Sequence, residues 1–421
     1  MCIRDSARSE RVSYMRPPPG QNTSDENGNA IVWPLHRALY GTPNAGRDFA
    51  KHLHMTLTKD LKFEACPVDS CVYLLKLPGG KKVWCTSYVD DLLLAGTGQE
   101  ALDHAYKLIE SKFQITEMEP LQTLLGVHFT HDPDKRAIYM NQSAYITALA
   151  EKFLGEGRST AKDTPCALDI INTEPAPEEQ RDPKTIATYR SLVGSLLWLV
   201  TATRVDLAFS TSMLSRYLTT AGPQHLKLAL RVLAYAYKTR AYVLTLGGTP
   251  DPSFEETVPD HIRPTSQLLG YSDASWGGER PMGGMICFLN GHCVLWSSKR
   301  HESTSLSSIE SENLQATKTC VELLWLRELI HYIEQNPVPI DDVKCPTPLL
   351  TDSQGVVALA DSDRSTSKIK HVKRRIAFLR ETQDAKKVLL VWQKADLMLA
   401  DVTTKPLSPE AFHKIRRVLL G

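Results

Sequence analysis

Two adjacent carboxylates, Asp90 and Asp91, sit inside the apolar stretch Lys82-Val83-Trp84-Cys85-Thr86-Ser87-Tyr88-Val89-Asp90-Asp91-Leu92-Leu93-Leu94-Ala95-Gly96. Neighbouring anions in such a setting repel each other and lose hydration, so a compensating charge is expected. Hard carboxylate oxygens suit magnesium. The alternative is a polar hairpin tip with solvated aspartates. Further along, acids recur where elements end. Leu269-Gly270-Tyr271-Ser272-Asp273-Ala274-Ser275-Trp276 reads as a strand carrying Asp273, and Pro348-Leu349-Leu350-Thr351-Asp352 as a strand ending in Asp352. Glu310 and Glu312 fall in the first turn of a long predicted helix, and Asp401 precedes the last one.

The elements that must position these acids follow from periodicity. Val83, Cys85, Ser87 and Val89 alternate as a strand, and 92–95 reads as its buried partner, which puts Asp90 and Asp91 at a tight turn. Helices are expected over 45–59 and over 101–113, where Ala101, Ala105, Leu108 and Ile109 share a face. The runs 124–129 and 137–140 flank the turn-rich Asp132-Pro133-Asp134-Lys135 and predict a hairpin. Ser143 caps a helix to about 153, and 166–185 is a surface loop. The stretch 189–246 is mostly helical with a break at Gly222-Pro223; its Trp198, Tyr217, Tyr235 and Tyr237 belong either to a helix core or to a base-stacking surface. Residues 250–265 read as a Pro- and Asp-bearing linker and a domain boundary. Beyond it come strands at 269–276, 285–289 and 293–297, the long helix after Ser307-Ser308, a strand to Asp352, a helix over 355–360 and a strand over 388–392. Residues 1–10 show no periodicity, and the opening Met1-Cys2-Ile3-Arg4-Asp5-Ser6 looks like an artefact of sequence assembly.

With 421 residues the chain has room for about two to four domains. Its 42% hydrophobic and 23% charged content is that of a globular protein, and a net charge of +1 supplies no global field for a polyanion, so a nucleic-acid surface has to be local. The nine cysteines form no Cys-x-x-Cys pair, the pattern of reduced thiols. No apolar run approaches the roughly 18 residues of a membrane span. The expectation is a soluble intracellular chain without a membrane partner.

Tyr88-Val89-Asp90-Asp91 resembles the Tyr-x-Asp-Asp metal-binding hairpin of reverse transcriptases. Tyr14-Met15-Arg16-Pro17-Pro18-Pro19-Gly20, Arg37-Ala38-Leu39-Tyr40-Gly41 and Asp69-Ser70-Cys71 resemble segments of copia-type retrotransposon Pol polyproteins, with Arg37 in place of a lysine. The 124–140 hairpin resembles the one that grips the primer end. Tyr189-Arg190-Ser191-Leu192-Val193-Gly194-Ser195 and Thr203-Arg204-Val205-Asp206 match the region between polymerase and nuclease. The later acids sit in Gly270-Tyr271-Ser272-Asp273-Ala274, Ser307-Ser308-Ile309-Glu310-Ser311-Glu312, Thr351-Asp352-Ser353 and Ala400-Asp401 with Thr404-Lys405-Pro406-Leu407, and their element order resembles ribonuclease H.

The resemblance implies an α+β and α/β multidomain chain: a truncated reverse-transcriptase palm and thumb followed by a ribonuclease H-like domain. The expected divisions are an unfolded or artefactual start with a fingers remnant (1–30), palm (31–130), a thumb- and connection-like helical region (131–250), linker (251–265) and nuclease (266–421). It implies Asp90 and Asp91 as one metal-binding pair, and Asp273, Glu312, Asp352 and Asp401 as the ligands of the nuclease. Glu312 is preferred over Glu310 by its spacing. Four carboxylates would balance two Mg2+, or Mn2+, about 3.5–4 Å apart. Tyr88 and the basic run carrying Lys368, Lys370, Lys373, Arg374 and Arg375 are the nucleic-acid contacts it suggests; the basic run alone also reads as a solvated helix face.

The implied partners are an RNA template, an RNA–DNA hybrid, dNTPs and other parts of the same polyprotein, in a cytoplasmic virus-like particle or the nucleus. The implied parent function is RNA-templated DNA synthesis with removal of the RNA strand. The rivals are a chain with ribonuclease H activity alone and a non-catalytic nucleic-acid-binding remnant. The family's third polymerase aspartate lies on an apolar strand before the Tyr-Met segment. Asp5 lies nearer to that segment than the family's spacing and is followed by Ser6-Ala7-Arg8-Ser9-Glu10 instead of a strand, so primer extension by this chain is not expected.

Overall fold

The alternation of Val83, Cys85 and Ser87 and the apolar run 92–95 fold as the expected strand pair, with Val89 in the turn between them. In the computed structural model, which describes residues 8–37, 39, 41–155, 162–262, 267–277, 280–335, 345–361 and 373–420, the chain divides into two compact units. One comprises Met1–Leu121 with Glu328–Asn336; the other comprises Gln122–Arg327 with Pro337–Gly421.

The first unit opens with β1 (Arg8–Met15) paired antiparallel to β2 (Trp33–Arg37). β1 therefore takes in residues 8–10 of the stretch expected to be unfolded; pairing with a distant partner supplies what local pattern lacked. Helix α1 (Ala45–Met55) then leads into β3 (Glu64–Ala65), β4 (Val72–Lys76), β5 (Lys82–Tyr88) and β6 (Asp91–Gly96), an antiparallel sheet in that order, followed by α2 (Gln99–Glu110). Tyr73 and Leu75 of β4 and Val83 and Cys85 of β5 are buried with Phe49 and Leu53 of α1 and Ala101, Ala105 and Ile109 of α2. Strand and helix periods thus agree on one apolar core.

The second unit starts with β7 (Thr123–Leu124), β8 (Val127–Asp132) and β9 (Ala137–Asn141), the expected hairpin. A boundary between 130 and 131 would cut β8. Helices α3 (Ser143–Leu154), α4 (Pro183–Ala202), α5 (Ala208–Ser215) and α6 (Pro223–Lys238) follow, with Asp182 accepting from Thr185 N at the start of α4 and proline in the first turns of α4 and α6. β10 (Leu244–Gly247) then returns to β9. It is a strand where a helical end was expected, because β9 offers a free edge that local propensity cannot reveal.

Among the described residues, 250–262 do not behave as a linker. They contain α7 (Pro252–Glu256), and Phe254, Val258 and Ile262 are buried. Phe254 stacks on Phe288 with centroids 4.8 Å apart, and the Tyr271 hydroxyl donates to Thr257 O at 3.0 Å. The polar composition of the segment masked three apolar anchors spaced four residues apart.

β11 (Leu268–Ser275), β12 (Met282–Leu289) and β13 (His292–Arg300) form an antiparallel run. After α8 (Ser308–Glu334), β14 (Thr347–Thr351) joins β11 in parallel. Past α9 (Gln354–Asp361) and α10 (Lys373–Asp384), β15 (Val388–Trp392) joins β14 in parallel. The strand order is β13-β12-β11-β14-β15, and α11 (Pro409–Leu420) ends the chain. This is the ribonuclease H-like arrangement. One face of its sheet shares a single core with the preceding helices, since Leu269, Tyr271, Ile286, Phe288 and Leu350 cluster with Tyr189, Leu196, Val232 and Tyr235. Tyr217 and Tyr235 are buried, on the core side of the two readings.

That core encloses a charge pair. Arg204 and Asp206 are each 1% exposed. Arg204 Nε and Nη2 donate to the two oxygens of Asp206 at 2.8 Å, Nη2 also donates to Thr239 Oγ1 at 2.7 Å, and the Tyr235 hydroxyl donates to Asp206 at 2.9 Å. With its hydrogen bonds filled, the pair offsets the cost of its own burial; with one partner gone it does not. Arg204→Met should therefore destabilise the chain by roughly 3–5 kcal/mol in chemical unfolding. A loss below about 1 kcal/mol would show that the pair is no better satisfied than a surface one.

Candidate metal centre and active site

The parallel join brings two acids together. β11 and β14 pair at Gly270–Leu349 and Tyr271–Leu350, and continuing that register sets Asp273 opposite Asp352, at the carboxyl ends of adjacent parallel strands. That end of an open sheet is where ligands bind. Alternation along β11 puts Leu269, Tyr271 and Asp273 on one face and Gly270, Ser272 and Ala274 on the other.

Glycines let the neighbouring layers close on both faces. Gly284 of β12 is paired with Asp273, and a Cβ there would collide with Thr403 and Thr404. Gly283, paired with Ala274, would collide with Gln315 of α8 and with His301. A Cβ on Gly270 would press on Leu323 of α8. One glycine of the 283–284 pair thus admits α8 and the other admits the segment carrying Asp401. The adjacent pair is a signal readable in the sequence, and its role was missed there.

At the start of helix α8 Ser307 caps the first turn: Glu310 N donates to Ser307 Oγ at 3.2 Å, and Glu310 Oε2 accepts from Leu306 N at 2.7 Å. Glu310 is thereby engaged in holding the helix start. Glu312 turns toward the sheet, where its Oε1 accepts from Ala274 N at 3.2 Å. Asp273, Glu312 and Asp352 each present an oxygen within 4.8 Å of the others. Asp401 stands beside this group, in a single turn of 3-10 helix over Leu399–Thr403, with its Oδ1 2.8 Å from Lys405 Nζ. The Thr404 hydroxyl donates to Asp273 Oδ2. Thr404 and Lys405 were visible in the sequence as motif residues, without roles.

Electrostatics records the crowding. Burial, then Asp273 and Asp352, push the Glu312 carboxyl up to about 9. Burial and then Asp273 push Asp401 up to about 7 against the pull of Lys405. Asp352 is raised too, by burial and then Asp273. Burial works against the Lys405 ammonium, yet Asp273 and Asp401 hold it above the ordinary lysine range. Glu312 Oε2 is buried and finds no hydrogen-bond donor among the described residues. An all-carboxylate donor set, an orphaned oxygen and acids driven toward protonation fit a hard divalent cation.

The other pair is arranged differently. Tyr88 pairs with Asp91, so Val89 and Asp90 form a two-residue turn between β5 and β6. Val89 has φ 54°, a conformation that such a turn demands and a β-branched residue resists. Asp90 is half-buried and Asp91 exposed, and Tyr88 is exposed beside them. Among the described residues, neither aspartate belongs to a group of three potential metal ligands. Lys373 and Arg374 are exposed at the start of α10 and Arg375 is half-buried; Lys368 and Lys370 lie outside the described residues. Arg380, from the same basic run, is spent on Leu359 O, joining α10 to α9.

The chain is similar to known proteins along nearly its whole length. The family model "Reverse transcriptase (RNA-dependent DNA polymerase)" matches residues 6–167. Over 417 residues the chain is 24% identical to the Retrovirus-related Pol polyprotein from transposon TNT 1-94 of Nicotiana tabacum, covering 97% of this chain and 29% of that one. The corresponding polyprotein from transposon RE2 of Arabidopsis thaliana is 28% identical over 410 residues, covering 96% of this chain and 26% of its own length. The chain belongs to the copia-type retrotransposon Pol polyproteins. It spans less than a third of the length of these Pol relatives. Among solved structures it is similar to LC11-RNase H1 in complex with RNA/DNA hybrid, at 13% identity over 32% of this chain and 93% of that one, with a TM-score of 0.24. The nuclease fold of this Pol chain therefore rests on its own strand order.

The raised acids of the Pol chain make its stability depend on pH. Glu312 has an ordinary value of 4.5 and a folded value of about 9, so the folded state binds more protons than the unfolded state between these limits. Its destabilising contribution is absent below the lower value and grows as pH rises toward the upper one. In chelator, Glu312→Gln should melt above the native chain at pH 8, with the difference shrinking toward pH 5. A difference that is flat in pH would mean that Glu312 does not carry the shifted proton.

Proposed function

We propose that this chain cleaves the RNA strand of RNA–DNA hybrids by divalent-cation-dependent hydrolysis, and that its Tyr88–Asp91 hairpin belongs to a palm built for RNA-templated DNA synthesis from dNTPs. The observation that carries the nuclease reading is the convergence of Asp273, Glu312 and Asp352, with Asp401 adjacent, at the carboxyl ends of parallel strands. These four residues would hold the cation, Mg2+ or Mn2+. What the cation would supply there is activation of a water and stabilisation of the leaving oxygen of a phosphodiester.

The chain's own groups do the rest. Thr404 fixes the orientation of the Asp273 carboxylate through its hydroxyl, and Ala274 N–H fixes that of Glu312. Lys405 balances Asp401. The exposed Lys373 and Arg374 offer contacts to backbone phosphates of the bound strand, a contribution that weakens with salt. Other segments of the same polyprotein are the expected protein partners, in a virus-like particle or the nucleus.

Asp352→Asn keeps the shape and removes one charge from the cluster. Loss of an outer partner of a metal ligand costs about 10–100-fold, so loss of a ligand should lower the hydrolysis rate of a labelled RNA–DNA hybrid by more than about 100-fold. A variant as fast as the full native chain would contradict the assignment. On the polymerase side, nucleotidyl transfer by two metals needs an acid that bridges both ions, and none accompanies Asp90 and Asp91 among the described residues. Primer extension on poly(rA) by this chain should stay at background. Robust extension that is lost in Asp90→Asn would show that another acid completes the site.

A further inference from the structure

The four carboxylates of the nuclease site are not equivalent. Asp273, Glu312 and Asp352 face one another within 4.8 Å, and Glu312 Oε2 has no donor among the described residues. On the other side, a cation is already in place. Lys405 lies one helical turn after Asp401; its backbone N–H donates to Asp401 O at 3.1 Å, and its ammonium reaches Asp401 Oδ1 at 2.8 Å. Thr404, next to it, takes Asp273 Oδ2. The Asp401 side chain is 13% exposed and that of Lys405 is 39% exposed, so this ion pair is partly withdrawn from water, unlike an ordinary surface pair. An ammonium is a compact cation with three donors, and it takes the same hard oxygens that a divalent ion would.

Resting on the reading of this cluster as a metal centre, we infer that Lys405 occupies a second cation position. The site then takes one divalent ion among Asp273, Glu312 and Asp352, and admits another only when the Lys405 ammonium leaves Asp401. Charge favours this order. One dication together with the ammonium leaves the four carboxylates close to balanced. Two dications balance them fully, so the ammonium becomes a surplus positive charge and is repelled. Lys405 is thus a positioning residue that sets how many ions the resting site holds.

The test is calorimetric titration of Mn2+ into the full chain without nucleic acid, at one fixed pH. Every protein carries Asp90→Asn and Asp91→Asn, so that the hairpin contributes no ion. The parent should bind one Mn2+, Lys405→Met two, and Lys405→Arg one. An unchanged single ion of unchanged affinity in Lys405→Met would overturn the inference, as would two ions of equal affinity in the parent. A parent that binds no ion defeats the metal-centre reading itself, and the inference with it. Thermal unfolding gives a second readout. Without metal, Lys405→Met should melt below Lys405→Arg and recover the gap in Mn2+. Equal melting of the two variants in both conditions would contradict the proposed role.

Discussion

Mutual repulsion among carboxylates at one end of the β11–β14 sheet is the constraint that the nuclease half answers to. Two full charges 4.8 Å apart repel by on the order of 3 kcal/mol at an effective dielectric near 20. A typical hydrogen bond contributes about 1 kcal/mol net. The donors supplied by Thr404 and Ala274 cannot hold Asp273, Glu312 and Asp352 together as a fully ionised set. The cluster must take up protons, a lysine or a metal ion, and the upward shifts of Glu312 and Asp401 record the first of these. A protein gains nothing in stability from such a cluster, which is why strained electrostatics of this kind marks a site of function.

The acids come from separate parts of the chain, so their geometry depends on the whole second unit. Gly283 and Gly284 open opposite faces of β12 to α8 and to the Asp401 segment. The face bearing Asp273 is backed by α4, α6 and α7 through one continuous core. Trp296 of β13 donates from Nε1 to Val200 O at 2.8 Å, and Tyr271, two residues before Asp273, is tied to Thr257. The helices between hairpin and nuclease are therefore structural support for the nuclease sheet, and Arg204 with Asp206 anchors them from inside.

Legibility in the sequence followed the range of the interaction. Strand ends at Asp273 and Asp352, the Tyr88–Asp91 turn and the start of α8 depend on neighbours a few residues away, and the alternation of Val83 and Cys85 or the Ser307-Ser308 pair shows them directly. What pairs at a distance did not show. β1 and β10 are strands because β2 and β9 accept them. Phe254, Val258 and Ile262 look like scattered apolar residues of a linker until the sheet and helices that bury them are in place. Thr404 and Lys405 carry no periodicity, and their meaning lies in Asp273 and Asp401, which only the fold sets beside them. The basic residues Lys368 and Lys370 fall outside the described residues.

A divalent-cation site at Asp273, Glu312 and Asp352 differs from a cluster of protonated acids in what lies between the three carboxylates. Anomalous diffraction from crystals of the full chain grown with Mn2+ addresses it directly. A peak bounded by oxygens of these three residues at metal–ligand distances is the predicted result. Well-ordered carboxylates with no anomalous peak between them, at a Mn2+ concentration that fills other sites in the crystal, would contradict it.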